Sequence, residues 1–195
     1  MTATPTIRVL LGDDHRIVRE GLTQVLADAP EVTVVAEAAT GPEVLDRVDA
    51  LVSDASDTGG LDVVLLDIAL PGMDGLDVLQ VLRKRHPTLP VLMLSTYPER
   101  QYAVRCIKLG AGGYLNKSAD PDDMLAAVRK VAAGGVYVTP ATAEALAVAV
   151  GQRGAQAGAE ALSHREHQVF RLLIQGQSVT QIGAQLGLAP NTVST

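Results

Sequence analysis

The sequence predicts a doubly wound α/β fold, a five-stranded parallel sheet with helices on both faces, joined to a second, small all-α domain. Three observations carry this expectation. Five short apolar segments alternate with five segments of helical periodicity, the pattern of repeated βαβ units. The third apolar segment, Leu61 to Leu66, is almost continuous, as a strand buried on both faces requires, and it stops at a carboxylate, Asp67. After Pro140 the composition turns to alanine, glycine and glutamine before a new apolar pattern begins.

Taken in order, Ile7 to Leu11 is a strand running into Gly12-Asp13-Asp14. Ile17, Val18, Gly21, Leu22, Val25 and Leu26 then place a helix with one apolar face. Val32 to Ala38 is a second strand and Pro42 to about Val52 a second helix, with a polar, glycine-rich loop from Ser53 to Gly60. The central strand passes through the turn Pro71-Gly72-Met73-Asp74-Gly75 into a helix from about Leu76 to Arg85. Pro90 to Leu94 is strand four, ending at Ser95-Thr96, and Glu99 to Leu109 is a helix closed by Gly110 as a left-handed cap. Gly113 to Asn116 is strand five, ending at Lys117, and Pro121 opens a helix that stops at Gly134-Gly135. Right-handed crossovers leave few strand orders, and 2-1-3-4-5 is the one expected.

Beyond it, Ala141 to Val150 is an alanine-rich helix, and Gly151 to Gly158 has linker composition. Ser163 and Glu166 have capping-box spacing ahead of Val169, Leu172 and Leu173. Ser178 to Gln181 repeats the box, Gly187 makes a turn, and Pro190 opens a third helix, the outline of a helix-turn-helix. The expected domains are 1–135, a linker with a short helix over 136–160, and 161–195.

Composition narrows the class. Apolar residues make up 47% but aromatics only 3%, so the core is aliphatic. No apolar run reaches the ~18 residues of a membrane span, and Met1 to Thr6 has no signal-peptide pattern. The single cysteine, Cys106, has no internal disulfide partner; a reducing, cytoplasmic home is expected. The net charge of −6 argues against a generally basic nucleic-acid binder. However, residues 152–195 carry +1 (Arg153, Arg165 and Arg171 against Glu160 and Glu166), leaving −7 on the rest and nucleic-acid binding open for the tail only.

In the expected order, strands one, three, four and five end on one edge, where open α/β sheets bind ligands. Asp13-Asp14, Asp67, Ser95-Thr96 and Lys117 meet there. Three carboxylates in one pocket need a cation, and oxygen-only donors point to Mg²⁺. The lysine can neutralise the empty site or hold an anionic oxygen, and Ser95 can hydrogen-bond the same anion. These are the parts required for phosphoryl transfer to a carboxylate.

At these positions the chain resembles a known family. Asp13-Asp14, Asp67 with Pro71-Gly72-Met73-Asp74-Gly75, Ser95, and Gly113-Tyr114-Leu115-Asn116-Lys117 resemble the receiver domain of two-component response regulators. Leu162-Ser163-His164-Arg165-Glu166 and Gly187 to Thr195 resemble the LuxR-type helix-turn-helix, and together they match the NarL/FixJ class. The resemblance implies a phosphorylation-controlled transcriptional regulator, not a classical enzyme. Asp67 would accept a phosphoryl group from a sensor histidine kinase, with self-catalysed phosphorylation and dephosphorylation. Asp14 would bind Mg²⁺ directly and Asp13 largely through water, with the backbone carbonyl of Ala69 as a further ligand. Lys117 and Ser95 would hold phosphoryl oxygens, and Tyr114 would swing inward as a switch residue. The partners implied are the kinase, double-stranded DNA and a second copy of the chain when phosphorylated, with no membrane.

Some positions depart from the commonest pattern. Ser118 stands where many receivers have proline, so no cis bond is expected there; Ala69 has no polar side chain to position a water; Ala189 replaces the usual N-cap serine. By the resemblance the recognition helix is expected to continue past Thr195 and to be followed by a dimerisation helix; with Thr192, Val193, Ser194 and Thr195 the recognition-helix residues in the sequence, and none of them basic, weak DNA binding is expected of the chain as written. His15 is expected to be a surface residue of the first helical turn, Cys106 structural, Arg83-Lys84-Arg85 a solvated helix end, and Tyr97 and Tyr102 either a partner face or core. A rival is an unphosphorylated receiver acting by docking, which the acidic triad and Lys117 oppose. An aspartyl-phosphate phosphatase wants an acid where Ala69 stands, and a flavodoxin wants a phosphate cradle where Asp13-Asp14 stand.

Overall fold

A computed structural model describes residues 6–53 and 60–151. Five strands, β1 (Ile7–Gly12), β2 (Val32–Ala38), β3 (Val63–Asp67), β4 (Val91–Ser95) and β5 (Gly113–Asn116), form one sheet in the order β2-β1-β3-β4-β5. Every neighbouring pair is parallel. The helices are α1 (Arg16–Ala27), α2 (Gly41–Ser53), α3 (Gly75–Arg85), α4 (Glu99–Lys108), α5 (Pro121–Ala132) and α6 (Pro140–Gly151). The expected topology and element order are thus observed. A compact unit spans residues 1–147, so the first part of α6 belongs with the sheet.

The sheet separates two apolar layers because successive strand side chains face opposite ways. Val9, Leu11, Leu65, Leu92 and Leu115 pack under α1 and α5. Leu10, Val64, Leu66, Met93 and Tyr114 pack under α2, α3 and α4. All five residues of β3 are buried, which explains its unbroken apolar run. Each such leucine contributes about 1.5–3 kcal/mol on leaving water.

Helix ends follow the chain's punctuation. Asp74 caps α3 by accepting from the Leu76 amide at 3.0 Å. Gly110 ends α4 at φ 93°, and Pro121 stands in the first turn of α5. One expectation fails: Ile17 is not on the buried face of α1 but is 83% exposed, and Gly21 is exposed too. Leu22 and Leu26 define the buried face. Ile17 lies five residues before Leu22, about 140° round the helix, whereas Val18 lies about 40° away. The loop over 54–59 and the whole helix-turn-helix, with Thr192 to Thr195, lie outside the described residues.

Candidate functional site

The carboxyl ends of β1, β3 and β5 bring four predicted side chains together. Asp13 follows β1; its amide donates to Ala38 O at 3.0 Å, and its Oδ1 accepts the His15 amide at 2.8 Å. This short turn opens α1, whose Arg19 donates from Nη1 to Asp13 O at 2.7 Å and ion-pairs with Glu37. Asp67 is the last residue of β3, and the loop after it is closed by the Gly75 amide on Ile68 O at 2.8 Å. That closure needs glycine: a Cβ at Gly75 would lie 2.0 Å from Asp67 O and 2.9 Å from Ile68 Cα. Lys117 follows β5 and is anchored by its amide on Ser95 O at 2.9 Å.

Lys117 Nζ then lies 2.8 Å from Asp67 Oδ2 and 2.5 Å from Asp13 Oδ2. Asp13 and Asp67 are 1% and 2% exposed, so this ammonium joins two carboxylates nearly stripped of water. Burial pushes the Asp67 carboxyl above the usual range; Lys117 opposes the shift, Asp13 reinforces it, and the Ala69 backbone opposes it. Burial pulls the Lys117 ammonium down, but the two carboxylates outweigh it and leave the group raised. With Asp14, one third exposed, the site sets three carboxylates against one ammonium.

Ligand atoms from Asp13, Asp14, His15 and Asp67 all lie within 4.8 Å of one another. Asp13 Oδ2 has no hydrogen-bond donor apart from the Lys117 contact. Hard oxygens with excess negative charge fit a hard divalent cation. His15 precedes α1, largely exposed, with Nδ1 2.8 Å from Asp14 Oδ1 and 3.3 Å from Asp13 Oδ1. It is a surface histidine, as expected, yet it also touches both acids, which sequence spacing did not reveal.

Ser95 ends β4 fully buried, and its Oγ accepts the Tyr97 amide at 3.1 Å. Tyr97 O in turn accepts the Tyr114 hydroxyl at 2.8 Å and Asn116 Nδ2 at 3.4 Å. Tyr114 is 1% exposed and packed in the layer under α4, so it already points inward here; the expected inward swing has no outward starting point in this structure. Burial pushes its hydroxyl well up, opposed by a hydrogen bond with Ser95. Tyr97 and Tyr102 stack at 4.8 Å, with Tyr102 in the core. Burial likewise lifts the Cys106 thiol to about 12, in keeping with a packing role.

The basic end of α3 is less solvated than expected. Arg83 is partly buried and donates to Pro87 O and His86 O, serving the carbonyls of the helix end. Arg85 and His86 both bind Asp49 of α2, at 2.8 and 2.6 Å. Sequence reading also missed Glu99, whose carboxylate accepts from the hydroxyls of Thr139 and Thr142. Thr139-Pro140 is legible as a helix start, but a partner about 40 residues away is not.

The family model of the response regulator receiver domain matches residues 9–129, and that of the luxR family of bacterial regulatory proteins matches 160–195. The chain belongs to the two-component response regulators of the NarL/FixJ class, with a receiver domain and a LuxR-type DNA-binding domain. Among its relatives, the response regulator GacA of Pseudomonas protegens is 36% identical over 189 residues, covering 97% of this chain and 85% of that one. The transcriptional regulatory protein UhpA of Escherichia coli is 39% identical over 187 residues, covering 96% and 86%. A solved LuxR-family two-component response regulator from an Aurantimonas species matches with a TM-score of 0.65 at 30% identity, over 75% of this chain and 99% of that one. Among the described residues no helix is long and apolar enough to cross a membrane.

Proposed function

We propose that Asp67 is the phosphoryl acceptor of this regulator and that its phosphorylation controls DNA binding by the C-terminal domain. The observation that carries the reading is the buried Asp13–Lys117–Asp67 cluster at the sheet edge. A sensor histidine kinase would be the donor. One Asp67 oxygen attacks the phosphorus of a phosphohistidine; the P–N bond breaks as the acyl phosphate O–P bond forms, and water later releases inorganic phosphate. Asp13, Asp14 and the Ala69 carbonyl, with Asp67 itself, would hold Mg²⁺, which would neutralise charge between the carboxylates and the phosphoryl oxygens.

The chain's own residues do the rest. Lys117 already touches the acceptor carboxylate and would hold one phosphoryl oxygen. Ser95 Oγ accepts the Tyr97 amide, and a phosphoryl oxygen would take the proton that serves its hydrogen bond with the Tyr114 hydroxyl. Drawing Ser95 towards the phosphoryl group pulls on the Tyr97 amide, and through Tyr97 O on Tyr114, so the switch is a rearrangement of an already buried tyrosine. The output is a population shift that changes how receiver faces meet the DNA-binding domain or a second receiver. We assign the receiver to 1–135, the linker to 136–160 and the DNA-binding domain to 161–195, with a cytoplasmic location and a homodimer in the phosphorylated state.

The test is intact mass after incubation with acetyl phosphate and Mg²⁺. One phosphoryl adduct on the wild-type chain and none on Asp67→Asn is the expected result. An adduct that persists on the variant would remove Asp67 from the role. No adduct on either, with no Mg²⁺ bound, would favour a receiver that acts by docking alone.

A further inference from the structure

The β4–α4 loop is tied at one end to the acceptor site and at the other to the linker helix. At its start, Ser95 Oγ and Tyr114 hold the Tyr97 backbone. Two residues later, Glu99 in the first turn of α4 accepts from the hydroxyls of Thr139 and Thr142, which open α6. Thr139 is an N-cap as well: its Oγ1 accepts the Thr142 amide at 3.2 Å, and its carbonyl accepts the Ala143 amide at 2.9 Å. One carboxylate therefore sits near the amino ends of two helices, where negative charge is favoured, and Thr142 beneath it is 1% exposed. The segment before α6 is pinned too, since the Tyr137 amide donates to Gly112 O at 2.8 Å beside β5.

We propose that Glu99 is a latch by which the receiver's switch loop controls the start of the linker helix. In the unphosphorylated state Glu99 holds Thr139 and Thr142, and α6 is fastened to α4. When Ser95 is recruited by a phosphoryl group, the loop shifts, Glu99 leaves the two hydroxyls, and the first turn of α6 loses its clamp. The signal then passes to the linker through only the four peptide links from Ser95 to Glu99. This inference rests on Asp67 being the phosphoryl acceptor.

Hydrogen exchange of the full chain, read at the α6 amides with and without acetyl phosphate and Mg²⁺, tests it. Wild type is expected to exchange several-fold faster at the first turns of α6 once phosphorylated, because Thr139 still caps the helix but its tie to α4 through Glu99 is lost. Glu99→Ala and Thr142→Val are expected to show the fast exchange without donor and no further rise with it, while taking up phosphoryl as wild type does. Glu99→Gln, which keeps the accepting oxygen, is expected to restore most of the protection. Thr142→Val leaves α4 untouched and decides the matter if Glu99→Ala unfolds. A normal adduct on wild type with unchanged α6 exchange would overturn the latch alone. Wild-type protection of α6 in both Glu99→Ala and Thr142→Val would do the same. Absence of any adduct would instead overturn the acceptor assignment, and the latch with it.

Discussion

Replacing Lys117 with methionine keeps an unbranched side chain one atom shorter and removes its charge, leaving Asp13 and Asp67 buried together without a cation. At 2.8 and 2.5 Å, each attraction is about 6 kcal/mol at an effective dielectric constant of about 20. Desolvation of all three groups and repulsion between the two acids offset much of that sum. Breaking a buried ion pair by removing one partner costs about 3–5 kcal/mol, and the lower end applies because one acid can take up a proton. A loss of about 3 kcal/mol at neutral pH in EDTA corresponds to a urea midpoint lower by roughly 1.5 M, for a slope of about 2 kcal/mol/M. Far-UV circular dichroism is the readout, since the chain has no tryptophan. Excess Mg²⁺ is expected to restore part of the loss by supplying the missing positive charge. A Lys117→Met midpoint equal to wild type in EDTA would refute the account, because two dehydrated carboxylates cannot face each other unpaired at no cost.

Two further outcomes follow from the same geometry. Gly75→Ala would drive a Cβ into the Asp67 carbonyl, so a destabilisation of more than about 3 kcal/mol is expected in thermal unfolding, with the acetyl phosphate adduct lost or slowed. The raised Asp67 carboxyl fixes a sign in the pH dependence. A group raised in the folded state contributes stability below its unfolded value, about 3.9, and loses it as pH rises through the folded value. Asp67→Asn is therefore expected to match wild type in acid and to exceed it in stability at neutral pH in EDTA. Equal stability of the two proteins across that window would contradict the shift.

Much of the architecture was legible because it depends on local chemistry. Asp74, Gly110 and Pro121 mark their helix ends through backbone preferences that act within a few residues. The placing of Ile17 failed for the complementary reason. Periodicity proposes a stripe, but only the packed sheet decides its width, and Ile17 falls beyond the layer under α1. Arg83 shows the same limit, because three basic residues in a row do not say which one turns back onto the carbonyls.

The sequence by itself determined the strands, their order and the edge where Asp13, Asp14, Asp67 and Lys117 would meet. A buried parallel strand must be apolar until it ends, so an acid or a lysine at its carboxyl end marks the edge of the sheet. Tertiary structure alone decided the rest. It set Lys117 between Asp13 and Asp67 rather than on one of them, turned Tyr114 into the core, and brought Glu99 to Thr139 and Thr142. Such contacts join residues from 17 to 50 or more positions apart, and hydrogen bonds and ion pairs act over a few ångströms of space, which chain spacing does not encode.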